Sequence, residues 1–230
     1  MRTILEDKTM VNIDPRKDLL NQLGAEMFNL CIMQLEKSIE AYLKQDKDLA
    51  ENVIYREYRV HALVLNIDHE CEQFLTLHKP VGDDLRFVMA LRKIIYNLKC
   101  IGDHALGISR YTAESDMLPD KKLLKTLLLN DMFSYAISML EDIHEAYLDQ
   151  GSQRAHKVFK KQRKLNEINY NTISVISILL RNEVDLIDQS LLLFTVIKKM
   201  ERVGDLATNI AQEIIFYREA VVKPKAKFLL

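Results

Sequence analysis

Leu98-Lys99-Cys100-Ile101-Gly102-Asp103-His104-Ala105 and Met200-Glu201-Arg202-Val203-Gly204-Asp205-Leu206-Ala207 decide the fold, because the second segment repeats the first 102 positions later. Gly102, Asp103, Ala105 and Ile108 become Gly204, Asp205, Ala207 and Ile210 under that shift. The apolar residues around them follow the same rule. Leu91, Ile95, Leu98, Ile101, Ala105 and Ile108 match Leu193, Ile197, Met200, Val203, Ala207 and Ile210. Steps of three and four mark one face of a helix, so two equivalent helices are buried in the same way. A glycine inside a helix costs about 1 kcal/mol relative to alanine. Its recurrence at matched positions implies that a neighbour, most simply another helix, comes close to the backbone there.

Helical periodicity continues on either side of these segments. It is interrupted near Pro15, at Asp46 to Asp48, Lys79 to Asp84, Ser115 to Asp120, Gln150 to Ser152, and Asn182 to Asp188. These breaks leave six long helices. The breaks near Asp48 and Gly151, and those near Pro80 and Asn182, lie about a hundred residues apart, so the repeating unit is a group of three helices. Antiparallel helices joined by short connections bury their apolar stripes on one another, as a lone amphipathic helix cannot. The expected fold is all-α: two tandem three-helix bundles related by an internal repeat of about 102 residues, with residues 1–115 in the first and 116–230 in the second.

Composition agrees. Six Gly and four Pro in 230 residues, with 48% hydrophobic content, leave too few turn formers for many short strands. The 32 Lys and Arg nearly balance the 33 Asp and Glu, so no global field draws the chain to nucleic acid or an anionic membrane. Met1 to Asp14 lacks the apolar run of an export signal. The apolar stretches Ile173 to Leu180 and Leu191 to Ile197 are far shorter than the roughly 18 residues of a membrane span. Cys31, Cys71 and Cys100 form no CxxC pair and suit small core positions in a reducing compartment. A cytoplasmic protein is expected.

Glu201, Asp205, Asn209 and Glu213 recur every four residues along the sixth predicted helix, which aligns them beside the apolar stripe. Like charges at this spacing repel, and a hard or borderline metal ion would relieve the repulsion. Lys198 and Arg202, three residues before Glu201 and Asp205, offer the other solution, an ordinary ion-pair face. Elsewhere the signals are weaker. Glu141 and His144 form a single ExxH, whereas di-iron bundles need two, so a polar surface turn is expected there. Asp68, His69 and Glu70 are consecutive and diverge around a helix. Lys160, Lys161, Arg163 and Lys164 lack interleaved aromatics and read as a solvated face. No Gly-rich phosphate loop, G-x-S-x-G or Cys and His nucleophile pattern occurs, so catalysis is not expected.

Lys79-Pro80-Val81-Gly82-Asp83-Asp84-Leu85-Arg86-Phe87-Val88, followed by Ile101-Gly102-Asp103-His104-Ala105, resembles the first-repeat signature of the PhoU family of phosphate-signalling regulators. Met200 to Asp205, running on through Ala207-Thr208-Asn209-Ile210-Ala211-Gln212-Glu213, is similar to the second-repeat signature. The resemblance implies two similar three-helix bundles, each with a surface able to hold a multinuclear iron or zinc cluster through E(D)xxxD carboxylates. This chain departs from that pattern. In the first repeat Lys99 stands for the Glu and Gly107 for the Asn, leaving Asp103 alone, so that site is expected to be empty. Partner-helix positions offer Glu57, with Val64 a helical step beyond, in the first half, and Gln162 and Asn166 in the second. Iron or zinc is therefore expected only in the second half, on Glu201, Asp205 and Asn209 with help from Glu167.

The resemblance further implies a negative regulator of phosphate uptake and starvation signalling. It would bind the phosphate ABC transporter and the phosphate-sensing histidine kinase, form homodimers, and meet the membrane only through its partners. Two rival readings stand beside it. One is a metal-dependent hydrolase or metal-storage bundle using the Glu201 and Asp205 row to activate water, although the sequence offers no general base or pocket for it. The other is an accessory to a sodium-phosphate cotransporter.

Overall fold

In a computed structural model, which describes residues 14–149, 151–181 and 183–220, the chain forms helices and no strand among those residues. The N-terminal stretch before Asp14 and the break residues Gln150 and Asn182 lie outside them. The long helices are α1 (Asp14–Lys44), α2 (Lys47–His78), α3 (Gly82–Glu114), α5 (Leu129–Leu148), α6 (Gln153–Leu180) and α7 (Ile187–Glu219). A short α4 (Lys121–Thr126) precedes α5, and a 3-10 turn (Val184–Leu186) precedes α7. Local chemistry sets the boundaries. Asp46 caps α2 by accepting from the Leu49 N–H at 2.9 Å, and Asp120 caps α4 by accepting from Leu123 at 2.8 Å. Gly82 opens α3 at a φ of 57°, a value that favours glycine. The α4–α5 break was not expected. It is made by Leu128, held at a φ of 53° with no glycine or proline to announce it.

The apolar stripes named from the sequence are the buried faces of α3 and α7: Leu91, Ile95, Leu98, Ile101, Ala105 and Ile108 in one, Leu193, Ile197, Met200, Val203, Ala207 and Ile210 in the other. α3 packs on α1, α2 and α7, while α7 packs on α3, α5 and α6. These two helices are the centre of the molecule, with α2 and α6 outside them and α1 and α5 beneath. The boundary expected near residue 115 falls in the coil between α3 and α4, yet the buried apolar residues of both sides form one continuous cluster.

α3 and α7 run antiparallel. Lys93 meets Glu213 at 3.1 Å, Asn97 meets Asn209 at 3.3 Å, and Gly107 lies under the Lys199 ammonium. The repeat shift turns Asn97 and Asn209 into Lys199 and Gly107, so an approximate two-fold axis passes through the seam. Beneath it, the Phe28 ring of α1 stacks on His144 of α5 at 5.2 Å, and Tyr147 donates to the Asn21 carbonyl at 3.3 Å. His144 is therefore not on a polar surface turn. It packs between the two halves, and burial lowers its pKa. No helix among the described residues is long and apolar enough to cross a membrane.

The matched glycines differ in what surrounds them. A Cβ on Gly204 would fall 2.6 Å from Leu165 Cδ1 and onto the Gln162 amide, both on buried side chains, whereas one on Gly102 would meet Val60 and Glu57 at 3.5 and 3.6 Å, ordinary contacts. Gly204→Ala is expected to destabilise by about 1–3 kcal/mol through overpacking. Gly102→Ala should be neutral or stabilise by up to about 1 kcal/mol through helix propensity. Urea denaturation of the two variants measures the contrast.

Candidate functional site

The contact of α2 with α3 at Gly102 brings together the chemically active groups of the first half. Glu57 of α2, only 7% exposed, lies against Gly102. One turn along α2, His61 Nε2 lies 3.6 Å from Glu57 Oε1. On α3, Asp103 follows Gly102, and the Lys99 ammonium, one turn earlier, donates to Asp103 Oδ2 at 2.6 Å. One donor atom from each of Glu57, His61 and Asp103 lies within 4.8 Å of the others.

The electrostatics follow from this crowding. Burial, reinforced by the Asp103 charge, pushes the Glu57 carboxyl up to about 7, while Lys99 and Arg110 act in the opposite direction. Glu57 Oε1 is buried without a hydrogen bond. The next residue along α3, His104, is lowered to about 4 by burial and by the Lys199 ammonium across the seam, with Asp103 opposing.

The second half repeats the frame with different chemistry. Gln162 of α6, also 7% exposed, takes the place of Glu57 at Gly204. Its Nε2 donates to Asp205 Oδ1 at 2.9 Å and to Asn166 Oδ1 at 3.2 Å. The acidic row lies along one face of α7, and each member meets a protein partner. Glu201 pairs with Lys198 at 3.3 Å and Asp205 with Arg202 at 3.4 Å, the i,i+3 ion pairs that the spacing offered as the alternative to metal. Asn209 donates to Asn97 across the seam at 3.3 Å, and Glu213 pairs with Lys93 at 3.1 Å. Glu167 pairs with Lys164 at 3.0 Å on the outer side of α6.

The structure thus gathers Asp103 with Glu57 and with His61, a residue that sequence reasoning missed. The signal was present: His61 lies four residues after Glu57 and so shares its helix face. Val64, a further step along, packs against the core instead. Glu141 and His144 do not converge with another ExxH. Asp68 pairs with Arg92 at 3.1 Å, while in the basic run Lys161 pairs with Asp142 at 2.6 Å.

Neither donor set fits a multinuclear iron or zinc cluster. In the second half the Gln162 amide presents its N–H side, not its oxygen, to Asp205, and both carboxylates already have cations. In the first half an ammonium stands among the donors. At an effective dielectric constant near 20, two unit charges about 4 Å apart repel by about 4 kcal/mol, and a divalent ion doubles that. In the second half the Gln162 contact with Asp205 joins α6 to α7, whereas in the first the ion pairs run within α2, from His61 to Glu57, and within α3, from Lys99 to Asp103.

Titration separates the halves. The folded chain holds the Glu57 proton from pH 4.5 to about 7, where the unfolded chain has released it. The stability that proton confers is full below the lower value and lost as pH rises through the upper one. Relative to Glu57→Gln, the natural protein should lose on the order of 3 kcal/mol between pH 4.5 and pH 8. Urea midpoints of the pair at several pH values measure this difference.

The family model described as "PhoU domain" matches residues 25–112 and 129–214, one copy in each half. The phosphate-specific transport system accessory protein PhoU of Escherichia coli K12 is 28% identical over 218 residues, covering 90% of each chain. The PhoU homolog from a Burkholderia species is 28% identical over 192 residues, covering 83% of this chain and 82% of the relative. Two crystal structures share the fold. PhoU from Pseudomonas aeruginosa superposes with a TM-score of 0.84 at 20% identity, over 91% of this chain and all (100%) of that one. The phosphate transport system regulatory protein PhoU from Streptococcus pneumoniae gives 0.77 at 21%, over 93% and 100%. With one copy of the domain matched in each half, the chain belongs to the PhoU family.

Proposed function

We propose that this protein is a negative regulator of phosphate uptake and phosphate-starvation signalling, acting from the cytoplasmic side by binding the phosphate ABC transporter and a phosphate-sensing histidine kinase. The observation that carries this reading is the family match in both halves, joined to relatives described as accessory proteins of the phosphate-specific transport system. The surface is compatible with it. The long helices present apolar side chains outward, among them Tyr96 at 68% exposure, Tyr170 at 85% and Ile178 at 63%. Helical faces of this kind recognise partner helices through apolar anchors with a charged rim.

Regulation by binding requires different affinities for two states of the partner. A tenfold shift needs only about 1.4 kcal/mol of difference, which a few such anchors supply without any chemical step. A rigid helical frame favours this mode, because its contacts are preorganised before the partner arrives.

Tagged protein recovered from its native cells at high and low phosphate tests the reading. Transporter subunits and the sensor kinase should co-purify at high phosphate and fall away at low phosphate. Glu201→Ala with Asp205→Ala, tested in parallel, reports whether the α7 acidic row lies on the contact surface. Recovery of neither partner under either condition would reject the regulator reading.

A further inference from the structure

The repeat shift carries Lys99 onto Glu201, so one helical position holds an ammonium in the first half and a carboxylate in the second. The exchange is not silent in the geometry. Lys99 turns toward its own half's cluster and donates to Asp103 at 2.6 Å, while Glu201 turns to Lys198 at 3.3 Å. Glu57, 7% exposed, is the only buried carboxylate among the described residues, and it has an oxygen within 4.8 Å of Asp103, the residue to which this ammonium donates. The hydrogen bond to Asp103 raises the Lys99 pKa, with a smaller contribution from the Glu57 charge, while Lys99 offsets only part of the burial that raises Glu57.

Once Glu57 has lost its proton, above about pH 7, it and Asp103 on the neighbouring helix favour a positive charge beside them. A metal ion supplies it from solution, and a lysine supplies it from the chain. We infer that Lys99 is a built-in cation that replaces a metal ion in the first half, tying Glu57 of α2 to Asp103 of α3 by the protein's own charge. The contact between α2 and α3 then holds whatever the metal supply. Taking the ammonium away uncovers Glu57, His61 and Asp103, whose donor atoms lie within 4.8 Å of one another. Two carboxylates and an imidazole with a position left for water are a donor set that zinc accepts.

Zinc titration by calorimetry, with melting temperature in the presence of zinc and of chelator, distinguishes the alternatives. Lys99→Met keeps much of the side-chain stem and removes the charge, and Asp103→Asn in each background marks the first-half site. The natural protein should show no zinc binding or melting shift that depends on Asp103. Lys99→Met should bind one further zinc ion per chain, with a melting temperature that rises in zinc, and Asp103→Asn should abolish both effects. Zinc binding by the natural protein that disappears in Asp103→Asn overturns the inference. So does a folded Lys99→Met that gains no zinc. If Lys99→Met does not fold, Lys99→Gln takes its place, and the arm comparing the natural protein with Asp103→Asn still decides.

Discussion

The antiparallel seam of α3 and α7 is the contact on which the rest of this structure depends. Each helix is covered on several sides, α3 by α1, α2 and α7, and α7 by α3, α5 and α6. Helices so enclosed must be apolar around much of their circumference and narrow where a neighbour crosses. Gly102 and Ala105, repeated as Gly204 and Ala207, meet the second requirement. Because the seam joins the halves, burial is shared: the apolar cluster runs through both without interruption. Among the described residues, Lys93 meets Glu213 and Asn97 meets Asn209 on one side of the two-fold axis, and Lys199 lies over Gly107 on the other.

Repetition preserves the frame more faithfully than the chemistry. At the equivalent places beside the two glycines, one half holds a buried carboxylate and the other a buried amide, Glu57 and Gln162. One half sets a lysine beside its aspartate and the other an amide and an arginine. Both arrangements solve the same problem, since a carboxylate at a helix crossing must be given a partner. The difference is electrostatic. The first half holds a buried carboxyl, Glu57, whose pKa burial raises, whereas the second pairs the partly buried Glu201 and Asp205 with Lys198 and Arg202.

Much of this was legible in the sequence. The spacing of apolar residues located the buried faces of α3 and α7, because burial restricts residue type strongly, and the close approach read from the matched glycines holds at Gly204, whereas Gly102 has room for a Cβ. The cations three residues before Glu201 and Asp205 announced two ion pairs that form. What stayed hidden depends on contacts between helices. His61 joins the first-half cluster only because α2 is rotated to present Glu57 to Gly102. The ring of His144 is stacked against Phe28 because α5 lies on α1, although its neighbours Glu141 and Glu145 gave the segment a polar appearance. Leu128 breaks α4 from α5 in a left-handed conformation that a leucine gives no reason to expect.

The central claim is that the seam couples the two tandem bundles into one cooperative unit. Native-state hydrogen exchange in graded urea tests it directly, by resolving the slowest amides of α1–α3 from those of α5–α7. The account predicts the same opening free energy and the same urea dependence in both groups, matching global unfolding. If one group opened at markedly lower free energy, with a urea dependence near half of the global value, the halves would be independent and the account would be contradicted.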